Sequence, residues 1–88
     1  MSERTFILAG NEDAAREWCR ENGVRVNGKG TVFVASTRTL QGVRFSPDDL
    51  VVHLPSFDRR VDAGEIDRML EVVAWTSGAQ PRWKRVIE

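Results

Sequence analysis

The chain has 88 residues, with 13 basic and 13 acidic side chains and 41% hydrophobic residues. This length suits one domain, and the balanced charge provides no positive field for nucleic acid or anionic membranes. The lone Cys19 excludes an internal disulfide, and no apolar segment near the start is long enough for a signal peptide or membrane span. We therefore expect residues 1–88 to form a single domain in the cytoplasm, without membrane or nucleic-acid partners.

The first strand is predicted at Thr5 to Ala9, a short apolar run that leads into a helix starting near Glu12. Asn11 can cap this helix, and Gly23 can end it in the left-handed conformation. Apolar residues recur at helical spacing on one face: Ala15, Trp18 and Cys19. A strand followed by such an amphipathic helix is typical of the start of a parallel α/β domain.

The next segment allows two interpretations. Asn27-Gly28 between apolar residues is typical of a hairpin, yet Val24 to Val26 is short and Gly30 interrupts the ladder. We prefer a loop followed by one strand, Thr31 to Ala35. Whether Val24 to Val26 forms a separate strand stays open.

Turn signals then alternate with one strongly β-forming run. Ser36 or Thr37 can cap a single helical turn through Leu40, and the segment from Ser46 to Asp49 is predicted to form a turn. Leu50 to Leu54 is rich in β-branched and aliphatic residues, which favours a central strand, and Pro55 terminates it.

A second long helix is predicted between two end signals. Asp62 and Glu65, three residues apart, suggest a capping box, and Gly78 marks the end. Its expected core stripe consists of Ile66, Met69, Leu70 and Val73. The tail, Arg82 to Ile87, can form an edge strand whose basic side chains discourage sheet-to-sheet aggregation.

Together these elements predict a small α/β domain with about four mainly parallel strands in the order 2-1-3-4 and two long helices. This is a minimal Rossmann-like or flavodoxin-like layout. Ligands of such sheets bind beyond the carboxyl ends of the strands, where the winding reverses. A small-ligand or nucleotide site there would use the loops after strands one and three: Gly10, Asn11, Ser56, Asp58, Arg59 and Arg60.

Nucleotide chemistry has little support in those loops. Only one glycine precedes the first helix, and Glu12 and Asp13 follow it, so a phosphate would meet like charge. The chain has neither a Walker A motif nor a G-x-G-x-x-G motif. Arg59 and Arg60 could clamp an anion, but arginines in such a place more often bond to Asp58, Asp62 or Glu65.

Catalytic and metal-binding patterns are also lacking. The run Ala9 to Ala14 resembles the opening of Toprim nuclease and primase domains, but the position of that family's catalytic glutamate is Ala9 here. His53 is the only histidine, so a zinc site would lack ligands and a triad would depend on one strand residue. We therefore expect no enzyme activity, no metal and no cofactor.

The remaining unexplained residues are aromatic and basic. Three tryptophans in 88 residues is a high count, and tryptophan and arginine most often anchor protein interfaces. The sequence therefore suggests a partner-binding or self-association surface formed by Val72, Trp75, Arg82, Trp83 and Arg85. In the alternative, Trp75 packs over Trp83 and closes the end of the sheet.

Three segments carry a resemblance to a group of proteins: Thr5-Phe6-Ile7-Leu8-Ala9-Gly10-Asn11, the helix Ala14 to Gly23, and Arg59 to Ile66. In these segments the chain resembles small actinobacteriophage (mycobacteriophage-like) open reading frames with a minimal Rossmann-like fold. The resemblance implies a phage protein that binds and modulates a host protein in the host cytoplasm. It assigns no site residues. Separately from the resemblance, self-association through the aromatic and basic surface makes a homodimer a further possibility.

Overall fold

The computed structural model describes residues 4–24 and 30–87. Whether Val24 to Val26 forms a strand depends on residues 25 and 26, which lie outside the described residues. The strands are β1 (Thr5–Leu8), β2 (Thr31–Phe33), β3 (Leu50–His53) and β4 (Arg82–Arg85), and the long helices are α1 (Glu12–Glu21) and α2 (Ala63–Ser77). Two short 3-10 helices, Thr37–Leu40 and Pro55–Arg59, complete the described elements.

The four strands form one parallel sheet in the order β2-β1-β3-β4, as the sequence predicts. Phe6 of β1 lies beside Val51 of β3, and Val51 in turn lies beside Trp83 of β4. The order reverses direction after β2, which gives the Rossmann-like arrangement. The central strands are therefore β1 and β3, and β4 forms one edge.

Both faces of the sheet carry a hydrophobic core. Because side chains alternate along a strand, Phe6 and Leu8 face α2, whereas Ile7 packs with α1. The α1 side buries Ala15, Trp18 and Cys19, as the helical spacing predicts. Right-handed crossovers in opposite directions place the two helices on opposite faces. The domain therefore has three layers.

The thiol of Cys19 lies inside the α1 layer, with 2% of the residue exposed. Burial raises the pKa of this thiol, because desolvation disfavours the charged thiolate. Cys19 therefore behaves as a small apolar core residue.

Three ends of the long helices follow their sequence signals and one does not; at the end of α1, Gly23 takes the predicted left-handed conformation with φ of 68°. The Asn11 side chain accepts a hydrogen bond from the Ala14 N–H at 2.8 Å, and Gly78 ends α2 with φ of 69°. The capping box predicted at Asp62 is wrong, because its carboxylate makes no capping hydrogen bond. It accepts instead from Nε and Nη2 of Arg60, both at 2.8 Å.

Each strand is shorter than its predicted segment, because ladder pairing stops before the apolar run does. Beyond β2, the Val34 N–H still donates to the Ile7 carbonyl at 3.0 Å, and beyond β4 the Val86 N–H donates to His53 at 2.9 Å. After β3 the chain turns at Pro55 into a 3-10 helix. Among the described residues, no helix has both the length and the apolar character needed to cross a membrane.

Candidate functional site

The edge strand β4 differs from the central strands in its exposure to solvent. Three of the four residues of β1 are buried, as are the two middle residues of β3, whereas all four residues of β4 are exposed. We call these four residues the β4 surface: Arg82, Trp83, Lys84 and Arg85. Three of them are cationic, so this edge is both accessible and basic.

A cleft of about 410 Å³ lies between α2 and β4, a volume in the range of ligand pockets. Leu8, Val51 and Leu70 contribute apolar lining. The α2 side adds the carboxylates of Asp67 and Glu71, and the strand side adds His53, Trp83 and Arg85. The cleft therefore combines an apolar interior with charges of both signs.

Trp83 is held at the edge of this cleft by contacts on one side only. Its ring meets the Phe45 ring edge-on, with centroids 6.3 Å apart, and its indole N–H donates to the Gln80 side chain at 3.3 Å. Even so, 53% of Trp83 remains exposed. It presents a fixed aromatic surface to solvent.

His53, Asp58 and Arg85 form a charged cluster at the carboxyl ends of β3 and β4. His53 Nε2 lies 2.9 Å from Asp58 Oδ1, and Arg85 Nη2 lies 3.5 Å from Asp58 Oδ2. The hydrogen bond with His53 lowers the pKa of Asp58, and the nearby Arg85 charge lowers it further. The His53 ring also packs edge-on against Phe57, with centroids 5.0 Å apart.

The other two β4 side chains, Arg82 and Lys84, alternate with Trp83 and Arg85 and so belong to the α1 face. Lys84 lies beside Val52 in the ladder, and its Nζ is 5.9 Å from the centre of the Trp18 ring. Arg82 donates from Nη2 to the Asp48 carbonyl at 3.0 Å. Cationic side chains of β4 therefore emerge on both faces of the sheet.

The structure divides the residues predicted as a partner surface. Trp83 and Arg85 line the cleft on one flank of α2, whereas Val72 lines a groove with Thr37 and Met69 on the other flank. Trp75 is 84% exposed, so the alternative in which it packs over Trp83 is wrong. Only the β4 members of the predicted surface lie on one continuous strand.

At the carboxyl ends of β1 and β3, the predicted ligand loops contact each other directly. The Gly10 N–H donates to Ser56 Oγ at 3.0 Å. A Cβ added at Gly10 would lie 2.9 Å from the Ser56 carbonyl oxygen, closer than side-chain carbons approach. This close approach requires glycine and leaves the two loops in contact where a ligand of this fold normally binds.

Arg60 closes the neighbouring part of the same sheet end. Its Nη1 donates to the carbonyls of Val34 at 3.0 Å and Ala9 at 3.3 Å, and its Nη2 donates to Ala35. The ion pair with Asp62, at 2.8 Å, agrees with the expectation that such arginines bond to nearby carboxylates. The same pair lowers the pKa of Asp62, chiefly through the hydrogen bond.

The other predicted ligand residues also have structural contacts or are exposed. Asn11 caps α1 and Asp58 joins the His53 cluster, whereas Arg59 is exposed to solvent. A small-ligand site at these loops remains a prediction.

Sequence reasoning missed an ion pair at the start of β3 in which the carboxylate is buried and the arginine is partly exposed. Asp49 is 1% exposed and accepts from Nε and Nη2 of Arg4 at 3.2 and 2.9 Å, and from the Ser46 N–H at 2.9 Å. Burial raises the pKa of Asp49, but the hydrogen bonds from Arg4 and Ser46 outweigh burial and lower it overall. The turn motif around Asp49 was visible in the sequence; its partner, 45 residues earlier, was not.

Within the described ranges, no group of three or more histidine, cysteine or acidic side chains is arranged to hold a metal ion. Comparison of the chain with protein-family models, with curated proteins and with solved structures gave no match.

Proposed function

We propose that the chain is a non-enzymatic protein-binding module whose contact surface centres on β4 and the adjoining cleft. The observation that carries the proposal is the exposure of the whole β4 surface, with Trp83 half-exposed beside an apolar cleft. Tryptophan and arginine are the side chains most enriched at interface hot spots. Exposed apolar surface rimmed by polar groups favours a partner over solvent.

The contents of the cleft support binding rather than catalysis. His53 is bonded to Asp58, and the described lining residues include no serine, threonine or cysteine that this pair could activate. With the resemblance to small actinobacteriophage reading frames, the proposal becomes a phage protein that binds and modulates a host protein in the host cytoplasm.

The test is affinity capture from an actinobacterial lysate with the tagged chain, followed by direct binding of the purified captured protein. We expect Trp83→Ala to weaken that direct binding by about thirtyfold, the effect of removing a hot-spot residue. Arg85→Glu tests the same surface without removing an aromatic contact. Circular dichroism establishes that each variant is folded.

Trp75→Ala is the matched control, since Trp75 is an exposed tryptophan outside the cleft lining. Loss of binding with Trp83→Ala and not with Trp75→Ala supports an interface at β4. The reverse pattern moves the interface to the outer surface of α2. Unchanged binding in all three variants contradicts both locations.

A further inference from the structure

Among the described strands, β4 pairs on one side only and leaves its outer backbone edge without a neighbouring strand. The N–H groups of Arg82 and Val86 donate to the β3 side, to the carbonyls of Asp49 and His53 at 2.8 and 2.9 Å. Because the N–H and C=O of one residue point the same way and successive residues alternate, those of Trp83 and Arg85 point away from β3. In the described ladder, β4 pairs with β3 alone.

The side chains beside this edge have a defined pattern. On the α1 face an incoming strand would run next to Arg82 and Lys84, and on the α2 face next to Trp83 and Arg85. Neighbouring strands lie about 4.8 Å apart, so cross-strand side chains touch. Acidic side chains suit the α1 face, and an apolar side chain suits the position beside Trp83.

Carboxylates near β4 belong to elements that follow β3 or pack over the sheet, and on the α1 face Glu17 and Glu21 line a groove with Val86. Asp67 and Glu71 belong to α2, which packs over β1 and β3. Asp58 bonds to His53 at the end of β3 and reaches Arg85 at 3.5 Å. An incoming strand would lie beyond β4, and on the α1 face it would run next to the exposed cation of Lys84.

We infer that the outer edge of β4 binds an extended acidic segment of the partner protein, which adds to the sheet as a fifth strand. This inference rests on the proposed function and specifies its partner. Main-chain hydrogen bonds to Trp83 and Arg85 provide affinity, and alternating acidic and apolar side chains provide selectivity. A second copy of this chain does not fit, because pairing two β4 edges would bring three cations from each chain together.

The test uses a blocked synthetic peptide, acetyl-Glu-Val-Glu-Val-Glu-Val-amide, with the full chain labelled with ¹⁵N. At saturating peptide we expect hydrogen exchange at the amides of Trp83 and Arg85 to slow at least about tenfold. The amides of Arg82 and Val86 already bond to β3, so their exchange should change much less. Protection at Trp83 and Arg85 before the peptide is added would instead mean pairing with a second copy, which overturns the inference.

Two N-methylated peptides test the backbone contacts. One carries the methyl groups on the valines and the other on the glutamates, so each blocks a different edge of the peptide. Affinity should fall by about tenfold or more in one of the two, since each lost backbone hydrogen bond costs about 0.5–1.5 kcal/mol. Which one falls reports whether the added strand is parallel or antiparallel, and equal affinity for both overturns strand addition.

Charge is tested by Lys84→Glu, which should weaken peptide binding by about tenfold at low salt. Arg68→Glu is the matched control, an exposed cation on α2 outside the cleft lining, and should bind the peptide like the wild type. Equal loss in both variants would indicate general attraction only and contradict the β4 site. The corresponding lysine peptide should not bind.

The results separate this inference from the proposed function. If the captured partner depends on Trp83 but no peptide protects β4, the protein-binding function stands and strand addition is wrong. If neither the partner nor the peptide depends on β4, both are wrong.

Discussion

Polar groups are paired within the chain at the carboxyl ends of β1 and β2, whereas at the outer edge of β4 they point outward. At the first, Arg60 binds three backbone carbonyls and Ser56 accepts the Gly10 N–H, so the chain's own side chains occupy the crevice. At the second, backbone groups of Trp83 and Arg85 point away from the sheet. At the sheet end the chain therefore pairs these polar groups with its own side chains, whereas at the β4 edge the described backbone groups of Trp83 and Arg85 point outward.

The largest effect on stability is expected for Arg60→Ala, which removes the side chain that pairs with the carbonyls at this sheet end. We expect the free energy of unfolding to fall by about 3 kcal/mol, because hydrogen bonds from a charged group contribute about 1.5–3 kcal/mol and the carbonyl partners would be left unpaired. Urea denaturation measures the change. The neighbouring Arg59→Ala, at an exposed position, should stay within about 0.5 kcal/mol of wild type, and equal effects would contradict the structural role of Arg60.

The buried Asp49 is a second polar group that the chain pairs with itself. Asp49→Asn should lower the free energy of unfolding by about 2 kcal/mol at neutral pH, because it removes the buried charge that accepts hydrogen bonds from Arg4 and Ser46, and hydrogen bonds to charged groups contribute about 1.5–3 kcal/mol. Denaturant titration at pH 7 measures this, and a loss below 0.5 kcal/mol, a change typical of surface sites, would contradict it.

The lowered pKa of Asp49 predicts that the stability of the folded chain depends on pH. The pKa of Asp49 is lower in the folded chain than in the unfolded chain, where it is about 3.9. Its stabilisation is therefore present above about pH 4 and is lost as the pH falls through the folded pKa. Between pH 6 and pH 2 the free energy of unfolding should fall less steeply for Asp49→Asn than for wild type. The exposed Glu71→Gln variant serves as the control.

Gly10→Ala tests the contact that closes the crevice. The added Cβ would lie 2.9 Å from the Ser56 carbonyl oxygen, so the loops must separate, and we expect a loss of about 1 kcal/mol. Gly64→Ala is the matched control, because nothing lies within 4 Å of its added Cβ and alanine favours a helix. The two replacements should shift the thermal midpoint in opposite directions, and shifts of the same sign would contradict the packing at Gly10.

The smallest effect on stability is expected at β4. Lys84→Glu should change the free energy of unfolding by less than about 0.5 kcal/mol, as surface substitutions usually do. Binding of the acidic peptide should nevertheless weaken about tenfold, which would separate stability from function at this edge. A large loss of stability would show that β4 depends on Lys84 for folding.

Much of the fold follows from local patterns. The apolar runs beginning at Thr5 and Leu50 predict parallel strands, and Asn11 and Gly78 mark helix ends by chemistry that operates within a few residues. The strand order then follows from the crossover rules.

The remainder depends on contacts between distant residues. Asp62 has the right spacing for a capping box, yet the neighbouring Arg60 takes its carboxylate. Arg4 meets Asp49 only after β1 and β3 pair, so no local pattern reveals that ion pair. The cleft likewise requires α2 and β4 to be placed together. The basic and aromatic composition of Arg82 to Arg85 follows from the sequence. The sequence does not show that these residues and Val72 lie on different flanks of α2.

Because Cys19 is buried, the rate at which its thiol is labelled reports opening of the α1 layer. Cys19 carries the single thiol of the sequence, and reagents such as Ellman's attack the thiolate, which burial both disfavours and shields. Labelling therefore requires α1 to lift from the sheet or the whole chain to open. When reclosing outpaces labelling, the rate of colour development measures the fraction of molecules in which this layer is open in native buffer, without denaturant and without any engineered probe.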